Sequence, residues 1–279
     1  MNKHYLNQRL VLLLLVAPIV VGCSRSTKEL VEYANKNQSL VADVANGKVV
    51  GITIRDKRAL EFSIARIDAL GNCQILYLIG LAIDADSFGP LSKLPIEELY
   101  MFDCKISKGA RTLIPNMKHL TRLHISAPHV GEQTFADAIA EDPQRVDMEV
   151  NDSDLASFST LPQLFQLDLT NHRGLTGAGF RTWDTHSKLR KINLYGSGIT
   201  DEGIKEISRF SQLRGLTIRD SFATSDQLLI LAKIEPLTGL GGVYADIKEE
   251  DMKGFAIRYN DAYKANHPHQ LIVPFPWLK

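Results

Sequence analysis

The chain has 279 residues, 44% of them hydrophobic, with 32 basic and 32 acidic side chains. That length and composition suit a folded protein of one large or two small domains, and the neutral balance excludes a general attraction to nucleic acid. Three cysteines are too few for the disulfide-dense plan of small exported domains, so the core must come from packing.

The N-terminus MNKHYLNQR carries Lys3 and Arg9 and runs into the apolar stretch LVLLLLVAPIVV, residues 10–21. This stretch is short for a membrane span and contains Pro18, so it reads as the apolar region of a signal peptide. It ends in VVGC, residues 20–23, which resembles the bacterial lipobox. The resemblance implies that residues 1–22 are removed as a lipoprotein signal peptide and that Cys23 becomes the lipid-attachment site. Small Val21 and Gly22 before Cys23, and polar SRSTKE after it, fit a processing site that enters a groove in extended form. Ser24 rather than aspartate implies outer-membrane delivery in a Gram-negative cell; with a single membrane, the same anchor leaves the domain on the outer face. Removing Lys3 and Arg9 leaves 30 basic residues against 32 acidic.

Residues 23–48 form the expected linker and N-terminal cap. Leu30, Val31 and Tyr33 predict a short helix there, and Gly47 stops any continuation.

From Val49 a period emerges. Taking Leu189 as position 0 of LRKINLYGSGITDEGIKEI, apolar residues fall at positions 3, 5 and 10: Ile192, Leu194 and Ile199. The pattern recurs with anchors at 49, 73, 96, 120, 143, 164, 189, 213 and 237, at intervals of 21 to 25 residues. PQRVDMEV supplies the copy at Pro143, with Val146 and Met148 at positions 3 and 5, and the last copy, LTGLGG, is decaying.

The pattern resembles the leucine-rich repeat, LxxLxL followed by a turn and a convex segment, and ITDEGIKEIS resembles its ITDxGLxxL subclass. The resemblance implies an α/β fold, a leucine-rich-repeat solenoid over residues 49–243, with a parallel concave sheet and short helices and irregular arms on the convex side. Positions 3 and 5 share one strand face and point inward, while positions 4 and 6 point out. Thr200 is placed to cap a helix carrying Ile204, Ile207 and Phe210, with Asp201 in its first turn. The copy at Leu164 has an extra residue and Trp183 and predicts an irregular arm. NDSDLASFS, after the Pro143 copy, predicts a tight turn or 3₁₀ segment rather than a full helix. Residues 244–279 are the expected C-terminal cap, with Met252, Phe255, Ala256, Tyr259 and Tyr263 at helical spacing and a strand-like Leu271–Val273.

The repeat frame ranks the candidate sites. Cys73 takes inward position 0 and Cys104 the turn at position 8, which predicts two buried free thiols in different layers. His119, His124 and His129 are evenly spaced but fall before the strand, on its outward side and in the turn, which argues against a metal cluster; HPH at 267–269 reads as a surface turn. No metal or other cofactor is expected. The pairs Asp84 with Asp86 and Asp152 with Asp154 are the only evident acid–base candidates, in turns where carboxylates commonly cap amides. No GxSxG, HExxH, GxxxxGK[ST] or CxxC occurs.

What remains is the concave face. Its candidate binding surface is Tyr77, Ile79, Tyr100, Phe102, His124, Asp147, Glu149, Asp168, Asn193, Tyr195 and Arg219, aromatic toward the N-terminal end and acidic in the middle. Aromatic neighbours also stabilise a sheet by themselves; as a surface, they suit a protein or peptide partner, with the acidic zone preferring a basic one. The expected role is non-catalytic protein or peptide binding at the cell envelope, on a membrane reached through the lipid of Cys23. The alternatives are an envelope hydrolase using the turn carboxylates and a purely structural envelope component.

Overall fold

The computed structural model describes residues 24–127, 149–185, 187–218, 224–234, 237, 239–241 and 249–269. Helix α1 (Arg25–Lys36) leads into a hairpin of β1 (Leu40–Ala45) and β2 (Lys48–Ile54). Then come α2 (Lys57–Ile64), β3 (Ile75–Ile79), β4 (Ala82–Ile83), α3 (Ala85–Leu91), β5 (Glu98–Phe102), β6 (Lys105–Ile106), α4 (Lys108–Arg111) and β7 (Arg122–Ser126). The second half holds α5 (Asp152–Phe158), β8 (Gln166–Thr170), β9 (Lys191–Asn193), α6 (Asp201–Ile207), β10 (Gly215–Thr217), α7 (Ser225–Leu228), β11 (Gly239–Gly241) and α8 (Glu249–Asn266). Among the described residues this is a mixed α/β fold: nine strands form one sheet in the order β1-β2-β3-β5-β7-β8-β9-β10-β11. It is parallel from β2 onward.

Alternation builds the core. Leu76 and Leu78, Leu99 and Met101, Leu123 and Ile125, and Leu167 and Leu169 lie on one face and are buried. Val49, Cys73, Ile96, Leu120, Leu164, Leu189, Leu213 and Leu237 seal the same layer where the chain approaches each strand. The return segments press Phe88, Phe158, Phe180, Ile204 and Phe210 against it.

After several strands the chain turns through a left-handed residue, Gly80, Asp103, Asn171 or Gly196, at φ between 53° and 68°. Only glycine, asparagine and aspartate tolerate that conformation cheaply. The next residue is buried, Leu81 as an apolar side chain and the other three by bonding the carbonyl of the neighbouring strand. Cys104 Sγ donates to the Leu78 carbonyl at 3.3 Å, and Ser197 Oγ to that of Leu169 at 2.9 Å. His172 does the same: its Nδ1 accepts from the Val150 N–H at 3.2 Å, which leaves the proton on Nε2, 3.1 Å from the Ile125 carbonyl.

The outer segments meet at backbone contact. A Cβ on Gly203 would lie 2.2 Å from the Thr176 carbonyl oxygen, and one on Gly179 would lie 2.4 Å from that of Asp152. Thr200 caps α6 by accepting from the Gly203 N–H, the role its place in the sequence predicts.

The structure corrects the sequence reading in four places. No strand sits between β7 and β8, which pair directly with Leu123 opposite Leu167, an offset of 44 residues against 23 to 25 elsewhere. Pro143, Val146 and Met148 lie outside the described residues. Buried Val150 and α5 follow before β8, so the Pro143 copy adds no strand between β7 and β8. NDSDLASFS is a true helix, because Asn151 and Asp154 form a reciprocal capping box at its start. Residues 40–45, within the expected linker and cap, form a strand where the sequence pattern predicts only a short helix, antiparallel to β2 through the Asn46-Gly47 turn, whose φ values are 52° and 72°. His267 is buried, with Nε2 3.1 Å from the Ala232 carbonyl, rather than in a surface turn. The Trp183 arm is 3₁₀ over Ala178–Thr182, in line with its irregular pattern. At the C-terminal end Phe255, Ala256, Tyr259 and Tyr263 of α8 are buried, while Leu271–Val273 lies outside the described residues.

Candidate binding face

Residues that alternate with the core face the other side of the sheet. Strand register aligns Tyr77, Tyr100, His124, Asp168 and Asn193 in one row and Ile79, Phe102, Ser126 and Thr170 in the next. Tyr77 stacks on Tyr100 with centroids 4.5 Å apart and planes at 7°, Phe102 meets His124 at 4.5 Å and 44°, and Tyr100 and Phe102 lie 6.1 Å apart. The strand spacing of about 4.8 Å sets this distance. Rings stacked across strands stand on edge, so the row is a ridge of ring edges with its faces turned to one another.

The ladder is half-buried rather than open, as are Ile79, Asn193 and Tyr195. Asn193 Oδ1 accepts from the Tyr195 N–H at 3.2 Å, which ties the two residues together at the end of β9.

A third row, missed from sequence, completes the face: Ile75, Glu98, Arg122, Gln166 and Lys191. The signal was the same alternation, two residues earlier in each strand. Tyr100 Oη donates to Glu98 Oε2 at 2.7 Å, and Arg122 Nη1 reaches Glu98 Oε1 at 3.0 Å. Burial, and then the Glu98 carboxylate, push the Tyr100 phenol far above its usual range, so it remains a protonated donor. Arg122 also lies over the Phe165 ring at 5.2 Å. Arg122 Nε and His124 Nε2 are enclosed without a hydrogen-bond partner among the described residues.

The acidic zone contracts. Asp147 and Arg219 lie outside the described residues, as does Cys23. Glu149, expected to point outward from a strand, sits in a bend and is 3% exposed, because no strand forms there. Asp168 remains, 8% exposed, accepting from Gln166 Nε2 at 2.8 Å with His124 Nδ1 3.5 Å from the same oxygen. It is committed inside the face rather than offered to a basic partner.

The rival sites are occupied by structural duties. Cys73 and Cys104 are free and buried, and burial pushes their thiols up to about 12 and about 11. Asp84 caps α3 in a reciprocal box with Ser87, whose bonds hold its carboxyl below the usual 3.8. Asp152 accepts from Thr176 Oγ1 at 2.6 Å and from the N–H groups of Gly177 and Gly179 at 2.9 and 3.1 Å. Asp154 is ion-paired at 2.7 Å with Arg111, itself 1% exposed. Asp86 lies in the first turn of α3. His119 is exposed before β7, His124 is in the ladder, and His129 lies outside the described residues. Among the described residues no three His, Cys, Asp or Glu side chains gather as metal ligands, and no helix is long and apolar enough to cross a membrane.

No protein-family model and no curated protein matches the chain. Among solved structures it is similar to the crystal structure of a protein from Bacteroides fragilis, at 11% identity and a TM-score of 0.44, covering 71% of this chain and 66% of that one. The chain thus spans just under two thirds of that protein's length, and likeness at this level does not define a shared fold.

Proposed function

We propose that the chain is a leucine-rich-repeat solenoid, lipid-anchored through Cys23 in a bacterial envelope, and that it works as a non-catalytic binding module for a protein or peptide. The repeat reading is supported by strand offsets of 23 to 25 residues and by the inward carbonyl-bonding residue that recurs after three of the strands. The lipobox-like VVGC supports the anchor, with outer-membrane delivery favoured by Ser24.

One observation carries the binding role. Tyr77, Tyr100, Phe102 and His124 form a ladder across three adjacent strands on the side of the sheet that the core does not use. A flat sugar ring stacks on an exposed aromatic face, and here the faces are mutually covered. Ring edges with a phenol and an imidazole among them suit the mixed apolar and hydrogen-bonding surface of a polypeptide.

Site-specific photocrosslinking in the native cell tests this. A crosslinker replacing Tyr77 is expected to give a discrete adduct that one at Lys205, on α6, does not, and Phe102→Ala is expected to abolish it while thermal unfolding stays cooperative. Equal adducts from both positions, or none from Tyr77 in the folded protein, would remove the face as a binding site.

A further inference from the structure

Ser24, the residue that follows the expected lipid attachment, is held in the fold. Ser24 caps α1: its Oγ accepts from the Thr27 N–H at 3.2 Å and its carbonyl from the Lys28 N–H at 3.1 Å. The helix is in turn fixed to the body. Thr27, Leu30 and Val31 are buried, Arg66 Nε reaches Glu29 at 3.0 Å, and the Tyr33 ring stacks on Phe62 at 4.0 Å. Arg66 also covers the Phe62 ring at 3.7 Å. Ser24 therefore belongs to the domain, and one peptide bond joins it to Cys23.

A tether of that length fixes a position. Acyl chains on Cys23 lie in hydrocarbon, which holds its backbone at headgroup level. One further residue adds at most about 3.6 Å of reach, so the first turn of α1 cannot leave the headgroup layer without unwinding its cap. That turn presents exposed Lys28 and Arg25, whose side chain is 93% exposed with its Nε donating to Glu29 Oε1 at 3.0 Å. We propose that the start of α1 is a membrane-contact surface, with the domain seated on lipid headgroups rather than held away from them, and with Arg25 and Lys28 turned to lipid phosphates.

Seating also places the aromatic ladder. A 12-residue helix is about 18 Å long, and only residues 37–39 separate it from β1. Tyr77 lies two strands beyond β1 and Phe102 three, at about 4.8 Å per strand. The ladder is thus held within a few tens of ångströms of the bilayer, where its polypeptide partner must reach it.

The inference rests on Cys23 being lipidated, and its test separates the two. The full chain, acylated in a bacterial host, is reconstituted into phosphatidylethanolamine–phosphatidylglycerol vesicles carrying a headgroup nitroxide. A fluorophore is placed on Lys28→Cys or, at the far end, on Lys253→Cys. Quenching at position 28 is expected to exceed that at 253 several-fold. A 20-residue Gly/Ser spacer beginning with serine, inserted after Cys23, spans about 25 Å on average and is expected to abolish the difference. Equal quenching at both positions in acylated protein overturns the seating alone. Mass spectrometry finding no acyl group on Cys23 overturns the anchor and the seating together.

Discussion

Asp43 shows how one side chain can oppose the fold that holds it. It lies opposite Gly51 in the hairpin, and a Cβ on Gly51 would come within 2.9 Å of its Oδ2. Burial raises its carboxyl above the usual 3.8. A raised pKa means that the native state binds the proton more readily than the unfolded chain, so stability rises as pH falls through the native value and levels off below the unfolded one. Asp43→Asn is therefore expected to raise the thermal midpoint at neutral pH, with the gain vanishing below about pH 4. Asp84 has the opposite sign. Its bonds to Ser87 hold it low, so its contribution is present above the unfolded value and lost as pH falls through the native one. Unfolding scans from neutral to acid pH on the parent, Asp43→Asn and Asp84→Asn check the two slopes, and an unchanged Asp43→Asn midpoint at neutral pH would deny the burial cost.

Between elements, the telling contact is Arg111 of α4 with Asp154 of α5, 43 residues apart in sequence and both almost sealed from water. Arg111 also donates to the Ile106 carbonyl at 2.6 Å. Arg111→Ala leaves a buried carboxylate uncompensated, with an expected loss of about 3–5 kcal/mol by denaturant unfolding. Arg111→Met with Asp154→Leu removes both charges and is expected to recover most of it. If the single and double variants lose equally, packing volume rather than charge is what matters. This contact was not legible in the sequence, where Asp154 stood as one of a pair of turn acids. Helical arms are short and their charges abundant, so only the stacking of one unit on the next selects which arginine meets which carboxylate. The parallel strands were legible because alternation and an apolar residue at position 0 are written before each of them. The hairpin strand β1 was not, since Asn46-Gly47 ended a helix as plausibly as it turned a hairpin. On the candidate face the rows of Tyr77 and Phe102 followed from register, whereas the burial of Asp168 and the loss of Glu149 depended on which copy formed a strand.

Across the whole molecule, the 44-residue step from β7 to β8 exceeds the steps beside it, 24 and 25, by about 20 residues, and the added sequence follows Ala127, whose N–H still donates to the Thr170 carbonyl at 3.1 Å. Removing residues 127–146 joins Ser126 to Asp147, which then falls where Asp103 and Asn171 make the left-handed turn in their own units. That variant is expected to keep the sheet and unfold in one cooperative transition, with a midpoint within a few degrees of the parent. Loss of cooperativity would mean that the added stretch is part of the fold. If the variant folds but the Tyr77 crosslink disappears, the stretch belongs to recognition.

The antiparallel β1 has a further consequence, for lineage rather than stability. Within the nine-stranded sheet the strands from β2 to β11 all run the same way, so on the repeat reading a copied unit would meet a neighbour of its own direction. β1 runs against β2 and breaks that rule. A duplication spanning it would set a reversed strand inside the stack, antiparallel to both neighbours, and would interrupt the even parallel ladder that runs from β2 onward. In the proposed solenoid, that change of direction sets β1 apart as an edge strand that is not a copy of the units it borders.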